Sequence, residues 1–239
     1  MSLRVWVSAG AVALVAALAA AVPAVGAREC DGLQVCVPVA GPWVVVPTTS
    51  RPLRAAHTPK VEYQVSCPRG HTAGGLDAEL SQRAIDIHFL GTLGSPVNPG
   101  ISTARAVVFV GSYVGQTPRG PTFKPYVGCI PSSGGGGRVP NSVGAVPPGE
   151  PTTRRVRNVR VRPGTTTVVQ GCRAGERLVG AAHAFGFNTR TAPGPSLVSS
   201  VSGRRSIRNG RVVVRVSGDA ELGGVRALVQ VQAVCSRER

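Results

Sequence analysis

Cys67-Pro68-Arg69-Gly70 opens a frame that continues through Gly74-Gly75 and closes at Cys129, 62 positions after its first cysteine. The frame recurs from Cys172, which is again followed by a glycine three positions later, and it closes at Cys235 after 63 positions. A frame that is used twice is typical of one structural unit present in two copies. Its glycine, proline and cysteine residues are those of turns and cross-links, so the frame predicts architecture and carries no chemistry.

The first 27 residues have the composition of a signal peptide. Arg4 precedes an apolar run from Val5 to Val22, and Val25-Gly26-Ala27 places small residues where signal peptidase cleaves. A membrane anchor is the alternative, since the run approaches the length that spans a bilayer, but hydrophobicity is lost directly after Ala27. We therefore expect an exported chain that starts at Arg28, resides in the extracellular space or the cell envelope, and has no transmembrane segment once the signal is removed.

The six cysteines of an exported chain meet an oxidising environment, where three disulfides are expected. Six cysteines allow fifteen pairings, and the sequence alone does not choose among them. The recurring frame suggests one pairing, namely Cys67–Cys129 and Cys172–Cys235, with Cys30–Cys36 as a local pair. Metal binding is the alternative, but it needs clustered ligands such as C-x2-C, which the sequence lacks. We predict neither a metal site nor a cofactor.

Composition and periodicity predict an all-β fold. Glycine (31) and proline (20) are abundant, and valine dominates the apolar content of the mature chain. Strict alternation from Leu228 to Val234 indicates a strand, and Asn209-Gly210 between two short apolar segments predicts a tight hairpin. A helix over 76–90 is the alternative to a second hairpin that turns at Ser81-Gln82, and we favour the hairpin. The expected architecture is antiparallel and β-sandwich-like.

A segment rich in glycine, proline and serine divides the chain. Residues 131–152 contain Gly134-Gly135-Gly136-Gly137 and several prolines, a composition that cannot bury enough apolar surface to order itself. We therefore predict a signal peptide at 1–27, a first β unit at 28–130, a flexible linker at 131–152 and a second, arginine-rich β unit at 153–239. A single larger β domain with a flexible excursion is the alternative.

The turn at residues 67–70, with Gly74-Gly75 after it and a closing Val127-Gly128-Cys129, resembles a repeat in secreted β-rich proteins of high-GC Gram-positive bacteria, a largely uncharacterised group. The second copy departs from this pattern, because Arg173 replaces the proline and Gly180-Ala181 replaces the glycine pair. The resemblance implies an extracellular all-β protein and supplies no catalytic residues. The excess of arginine (25) over lysine (2) also fits high-GC coding.

Positive charge is the main functional signal. The chain carries a net charge of +16, of which residues 150–239 hold +11 and residues 28–149 hold +4. Such a field attracts polyanions with an affinity that falls as salt rises, so we predict binding to an anionic cell-wall polymer or surface. One arginine run changes phase at Asn158, which predicts a strand with a bulge. The candidate anion-binding residues are Arg154, Arg155, Arg157, Arg160, Arg162, Arg204, Arg205, Arg208 and Arg211.

The sequence leaves other functions open. A solvated surface whose arginines reflect codon usage is the alternative, and it leaves a structural or protein–protein interaction module. The low aromatic content (4%) and the lack of a helical reading motif disfavour nucleic acid. A third possibility is an extracellular enzyme, but no nucleophile elbow, zinc motif or phosphate loop is present, and we predict a non-catalytic protein. The polar residues considered for catalysis were His57, His71, His88, His183, Asp77, Glu79 and Asp86.

Overall fold

The computed structural model describes residues 28–48, 58–90, 105–116, 119–132 and 152–237. The predicted signal peptide and residues 133–151 of the predicted linker lie outside the described residues. The first half of the molecule (residues 28–132) contains β1 (Val37–Ala40), β2 (Trp43–Val45), β3 (Lys60–Ser66), β4 (His71–Leu80), β5 (Ile85–Leu90), β6 (Ala106–Tyr113) and β7 (Thr122–Pro131).

The second half (residues 152–237) contains β8 (Thr152–Val161), β9 (Gly164–Gly171), β10 (Glu176–Phe187), β11 (Val201–Arg208), β12 (Arg211–Gly218) and β13 (Ala227–Arg237). A short helix α1 (Pro195–Ser199) and a 3-10 turn (Ala220–Gly224) complete it. Every strand pairing is antiparallel, and the all-β, disulfide-stapled fold predicted from the sequence is confirmed. Among the described residues, no helix is long and apolar enough to cross a membrane.

The two halves follow the same pairing scheme. In the first half β3, β6 and β5 form one sheet while β4 pairs with β7, and in the second half β9, β12 and β11 form a sheet while β10 pairs with β13. In each half the first cysteine of the frame follows the first of these strands, and the closing cysteine lies in the last one. The Cys67–Cys129 and Cys172–Cys235 disulfides therefore each join two facing sheets, and Cys30–Cys36 closes a local loop.

One sheet of seven strands runs through both halves. The three-residue strand β2 pairs with β7 on one side and with β10 on the other, which gives the order β1-β7-β2-β10-β13-β8 with β4 also on β7. Val44 lies opposite both Phe123 and Gly186, and Val45 and Phe187 project from the reverse side. Because neighbouring residues of a strand point to opposite faces, this register fixes the two faces of the shared sheet along its whole width.

The two hydrophobic cores lie on opposite faces of the shared sheet. On one face Phe123 and Val44 pack with β3, β5 and β6 in the core of the first half, and Ala184 of β10 extends that core into the second half. On the other face Phe187 and Val229 pack with β9, β11 and β12 in the core of the second half. The molecule is therefore a staggered sandwich in which each outer sheet covers a different face and a different half of the shared sheet.

Two local predictions differ from the structure. Residues 76–90 form two strands with a turn from Ser81, as predicted, but they are not a hairpin, because β4 pairs with β7 while β5 pairs with β6. The turn crosses from one sheet to the other, and the N–H of Thr122 donates to the Ser81 hydroxyl at its start. The bulge predicted at Asn158 is absent, since β8 pairs with β13 in continuous register. The hairpin at Asn209-Gly210 is confirmed, and both residues have positive φ.

Candidate anion-binding face

The sheet of β9, β12 and β11 has one buried and one exposed face. Val212, Val214 and Val216 alternate into the core of the second half, so Arg211 and Arg215 project outward from the same strand. The tight turn at residues 209–210 fixes the register of β11 against β12, and it places Arg208 opposite Arg211 and Arg204 opposite Arg215. These four exposed residues, Arg204, Arg208, Arg211 and Arg215, are called the arginine face below.

No acidic residue of its own sheet balances the positive charge of the arginine face. The three strands carry no aspartate or glutamate, and no ion pair is recorded for the four guanidinium groups within the described part of the chain. Like charges that stand directly opposite each other on paired strands destabilise a sheet. The two arginine pairs are about 13 Å apart along the strands, from the usual rise of ~3.3 Å per residue. The face thus offers two separated pairs of guanidinium donors.

Hydroxyl groups surround the arginine face. Ser202 and Ser217 lie opposite each other on the outward side, Ser206 stands between Arg204 and Arg208, and Thr165 and Thr167 extend the same surface on β9. Hydroxyls donate hydrogen bonds to anionic oxygens, and guanidinium groups bind carboxylate or phosphate through two parallel bonds. The surface therefore combines charge with uncharged donors, which suits an extended ligand that bears repeated acidic groups.

Four of the nine arginines predicted from the sequence make internal contacts. Arg154 bonds to Glu62 of the first half and to the Gln232 side chain, and Arg157 donates to the carbonyl of Val169. The remaining two internal contacts are those of Arg155, which pairs with Glu176, and Arg205, which donates to the carbonyl of Ala181.

Arg155 and Arg157 project from the face of β8 that carries Val159 and Val161, toward the core side of the sheet. Arg157 reaches Val169 of β9 across the open edge of the second sandwich, whereas Arg155 reaches Glu176 of β10, on the far side of β13 from β8. Two bonds from the Arg155 guanidinium, at 2.9 and 2.5 Å, lower the pKa of the Glu176 carboxyl to about 2, and a bond from a backbone N–H adds to this shift. The Arg155 and Glu176 side chains are largely shielded, with 17% and 16% of their surface exposed. The phase change in this arginine run therefore reflects contacts made on the core side of the sheet.

The other predicted arginines occupy different places. Arg204, Arg208 and Arg211 lie together on the arginine face, while Arg160 projects from the opposite face of β8 and Arg162 lies in the turn between β8 and β9. The sequence prediction omitted Arg215. The place of Arg215 on this face can be predicted from the sequence. Side chains alternate along a strand with a period of two, and counting from the hairpin turn places residues 204, 208, 211 and 215 on one face and residue 205 on the other.

The histidines considered for catalysis lie on separate strands. His71 Nδ1 is 3.2 Å from the carbonyl oxygen of Arg69, and His88 pairs with Asp86 at 3.0 Å on the exposed side of β5. His183 is half-buried on β10 beside Phe185, and burial, with a smaller effect of Arg205, lowers the pKa of its imidazole. His57 lies outside the described residues.

The remaining candidates, Asp77 and Glu79, share one face of β4, where Glu79 accepts a hydrogen bond from the Tyr126 hydroxyl. Cys172, Glu176 and Cys235 have the spacing of metal ligands, but the two sulfurs are bonded to each other and the carboxylate is paired with Arg155. These groups therefore hold the sandwich together at this end.

A scan against protein-family models and searches of curated proteins and solved structures found no match to this chain.

Proposed function

We propose that this protein is a secreted, non-catalytic binding protein of the cell envelope or the extracellular space, and that it docks on an anionic polymer through the arginine face. The observation that carries the proposal is the two directly opposed arginine pairs on a sheet without a single acidic residue. Export, which the N-terminal sequence predicts, would bring the face to wall and capsule polymers that bear phosphate or carboxylate groups.

Repulsion between the opposed arginines supports the binding role. Arg204 opposite Arg215 and Arg208 opposite Arg211 repel one another in the free protein, since their charges have no acidic neighbour on the sheet. An anionic polymer that lies across both pairs removes this repulsion and releases its own condensed counterions. Folding gives no reason for like charges to stand opposite each other at these positions, and this supports a ligand as their role.

The test is binding to a defined polyanion across a series of salt concentrations. The mature protein is titrated with polyphosphate and, separately, with polygalacturonate between low and physiological salt. A variant with all four residues of the arginine face changed to glutamine is compared with a matched control of equal net charge, in which four exposed arginines elsewhere are changed. The control substitutions are Arg69→Gln, Arg83→Gln, Arg105→Gln and Arg190→Gln.

We expect the affinity of the natural protein to fall steeply with salt. Each phosphate contact contributes about 0.7–0.9 to the slope of log affinity against log salt, so loss of the arginine face should lower that slope by about 3. The control variant should lose less than half as much. Equal losses in the two variants would show that net charge alone attracts the polymer, and salt-independent binding would point to a structural or protein-binding module. Either result contradicts the proposal.

A further inference from the structure

A second candidate site lies between the two halves, away from the arginine face. A cleft of about 620 Å³ is bounded by β3 on one side, by residues 39–42 on another, and by β8 and β13 along its floor. Its volume falls in the range of small-molecule sites, about 300–1,000 Å³. The polar residues in its lining include Gln64, Ser66, Asn158, Asn188 and Arg226.

The walls of the cleft are fixed by hydrogen bonds across the two halves. The Gln230 side chain accepts the backbone N–H of Gln64 at 2.7 Å and donates to the carbonyl of the same residue at 3.0 Å, as a neighbouring strand would. Gln232 donates to the carbonyl of Glu62 at 3.0 Å, and Arg154 pairs with the Glu62 carboxylate. Because these contacts hold β3 against the shared sheet, a ligand would meet a cleft that is already formed.

Several donors in the cleft have capacity for a ligand. Arg226 and Asn158 are exposed, and for the described part of the chain no hydrogen bond is recorded for either side chain. Asn188 uses one amide N–H to reach the carbonyl of Arg226 at 3.2 Å. Arg160 projects from the same face of β8 as Asn158 and adds positive charge beside the floor. Glu62 is the acidic residue at this wall, and its charge is balanced by Arg154.

The chemistry of these groups favours one class of ligand. Side-chain amides both donate and accept hydrogen bonds, which matches the hydroxyls of a sugar ring, and a guanidinium matches a carboxylate or phosphate. Leu228 and Tyr63 supply apolar surface in the same cleft, against which the C–H faces of a ring can pack. We propose that the cleft binds an anionic sugar, with its acidic group on Arg226 and its hydroxyls on Asn158 and Asn188.

The test uses small probes whose binding site is located from the backbone amides that respond to them. The mature protein is titrated with glucuronate, glucose 6-phosphate and glucose, and binding is followed by chemical-shift changes of backbone amides in β3, β8 and β13. We expect saturable binding of at least one acidic sugar, with glucose about tenfold weaker or more because it lacks the group for Arg226. The stronger of the two acidic probes identifies a carboxylate or a phosphate as the preferred group.

Variants separate the cleft from general charge attraction. Arg226→Gln should weaken the acidic probe by about tenfold or more, whereas Arg190→Gln, an equal charge change on an exposed turn, should leave it unchanged. Asn158→Leu should weaken glucose and the acidic sugars alike. The variant that lacks the arginine face should retain the cleft affinity, which keeps this proposal independent of polymer binding. Failure of all three probes to saturate, or equal effects of the Arg226 and Arg190 changes, would overturn it.

Discussion

Replacement of Gln230 by leucine should weaken the contact between the two halves of the molecule. The Gln230 side chain is 1% exposed, and its amide satisfies both backbone groups of Gln64 on the free edge of β3. Its oxygen also accepts a hydrogen bond from Gln232 at 2.7 Å. Leucine is close in volume and keeps the packing, but it can neither donate nor accept, so the loss isolates the hydrogen-bonding contribution.

The expected size of the effect follows from the groups left behind. The N–H and C=O of Gln64 both lose their partner, and an unsatisfied buried polar group costs about 1–3 kcal/mol. Gln64 is only partly buried, so water recovers part of this cost, and the leucine side chain gains some apolar burial. We therefore expect a net loss of about 2 kcal/mol in the free energy of unfolding.

The assay is equilibrium unfolding in urea with the disulfides intact, combined with hydrogen exchange at the Gln64 amide. The matched control is Gln34→Leu, an exposed glutamine before β1, for which the change should stay within about 0.5 kcal/mol. In the Gln230 variant we expect faster exchange of the Gln64 N–H, because its acceptor is gone. Unchanged exchange together with a stability equal to that of the control would refute this account of the interface.

Three further predictions concern the second half. Replacing both cysteines of the Cys172–Cys235 pair with serine removes a cross-link across 63 positions and should lower the free energy of unfolding in urea by about 4 kcal/mol. The pKa of Glu176 is lowered to about 2, so its contribution to stability is complete above pH ~5 and is lost as pH falls toward 2; Glu176→Gln should flatten the melting temperature over that interval. Gly210→Ala places a side chain at φ +68 and should cost about 1 kcal/mol, whereas Gly194→Ala, at φ −68 and equally open, should cost little.

Local signals allowed much of the fold to be predicted. The Asn209-Gly210 turn depends on two residues that tolerate positive φ, so its hairpin follows from the sequence without knowledge of distant contacts. The disulfide pairing follows from the recurring frame, because nearly equal spacings of 62 and 63 positions in two copies imply corresponding partners. The same reasoning, extended by a period of two from the turn, would also have placed Arg215 on the arginine face and Arg205 off it.

The remaining features depend on contacts between distant residues. The strand β2 has three residues and joins β7 to β10, and nothing in Trp43-Val44-Val45 indicates that both of its edges are paired. Arg154 pairs with Glu62, which lies 92 positions earlier in the chain. A count of charges along the sequence therefore cannot show that the charge of Arg154 is neutralised. The sequence predicts a hairpin after Ser81 because adjacent strands often pair, but β4 pairs with the distant β7, and β5 pairs with β6, the next strand along the chain.

The staggered sandwich determines how the two proposed sites relate to each other. The outer sheet with the arginine face covers the side of the shared sheet that carries Phe187 and Val229, whereas Leu228 and Gln230 at the cleft floor project from the other side. A short ligand segment therefore cannot occupy both sites at once. A saturating acidic sugar should leave the affinity of the arginine face for polyphosphate unchanged, and the cleft should stay available on a polymer-bound protein. Competition between the two ligands would mean that the acidic sugar binds at the arginine face, and it would contradict the placement of the sugar site in the cleft.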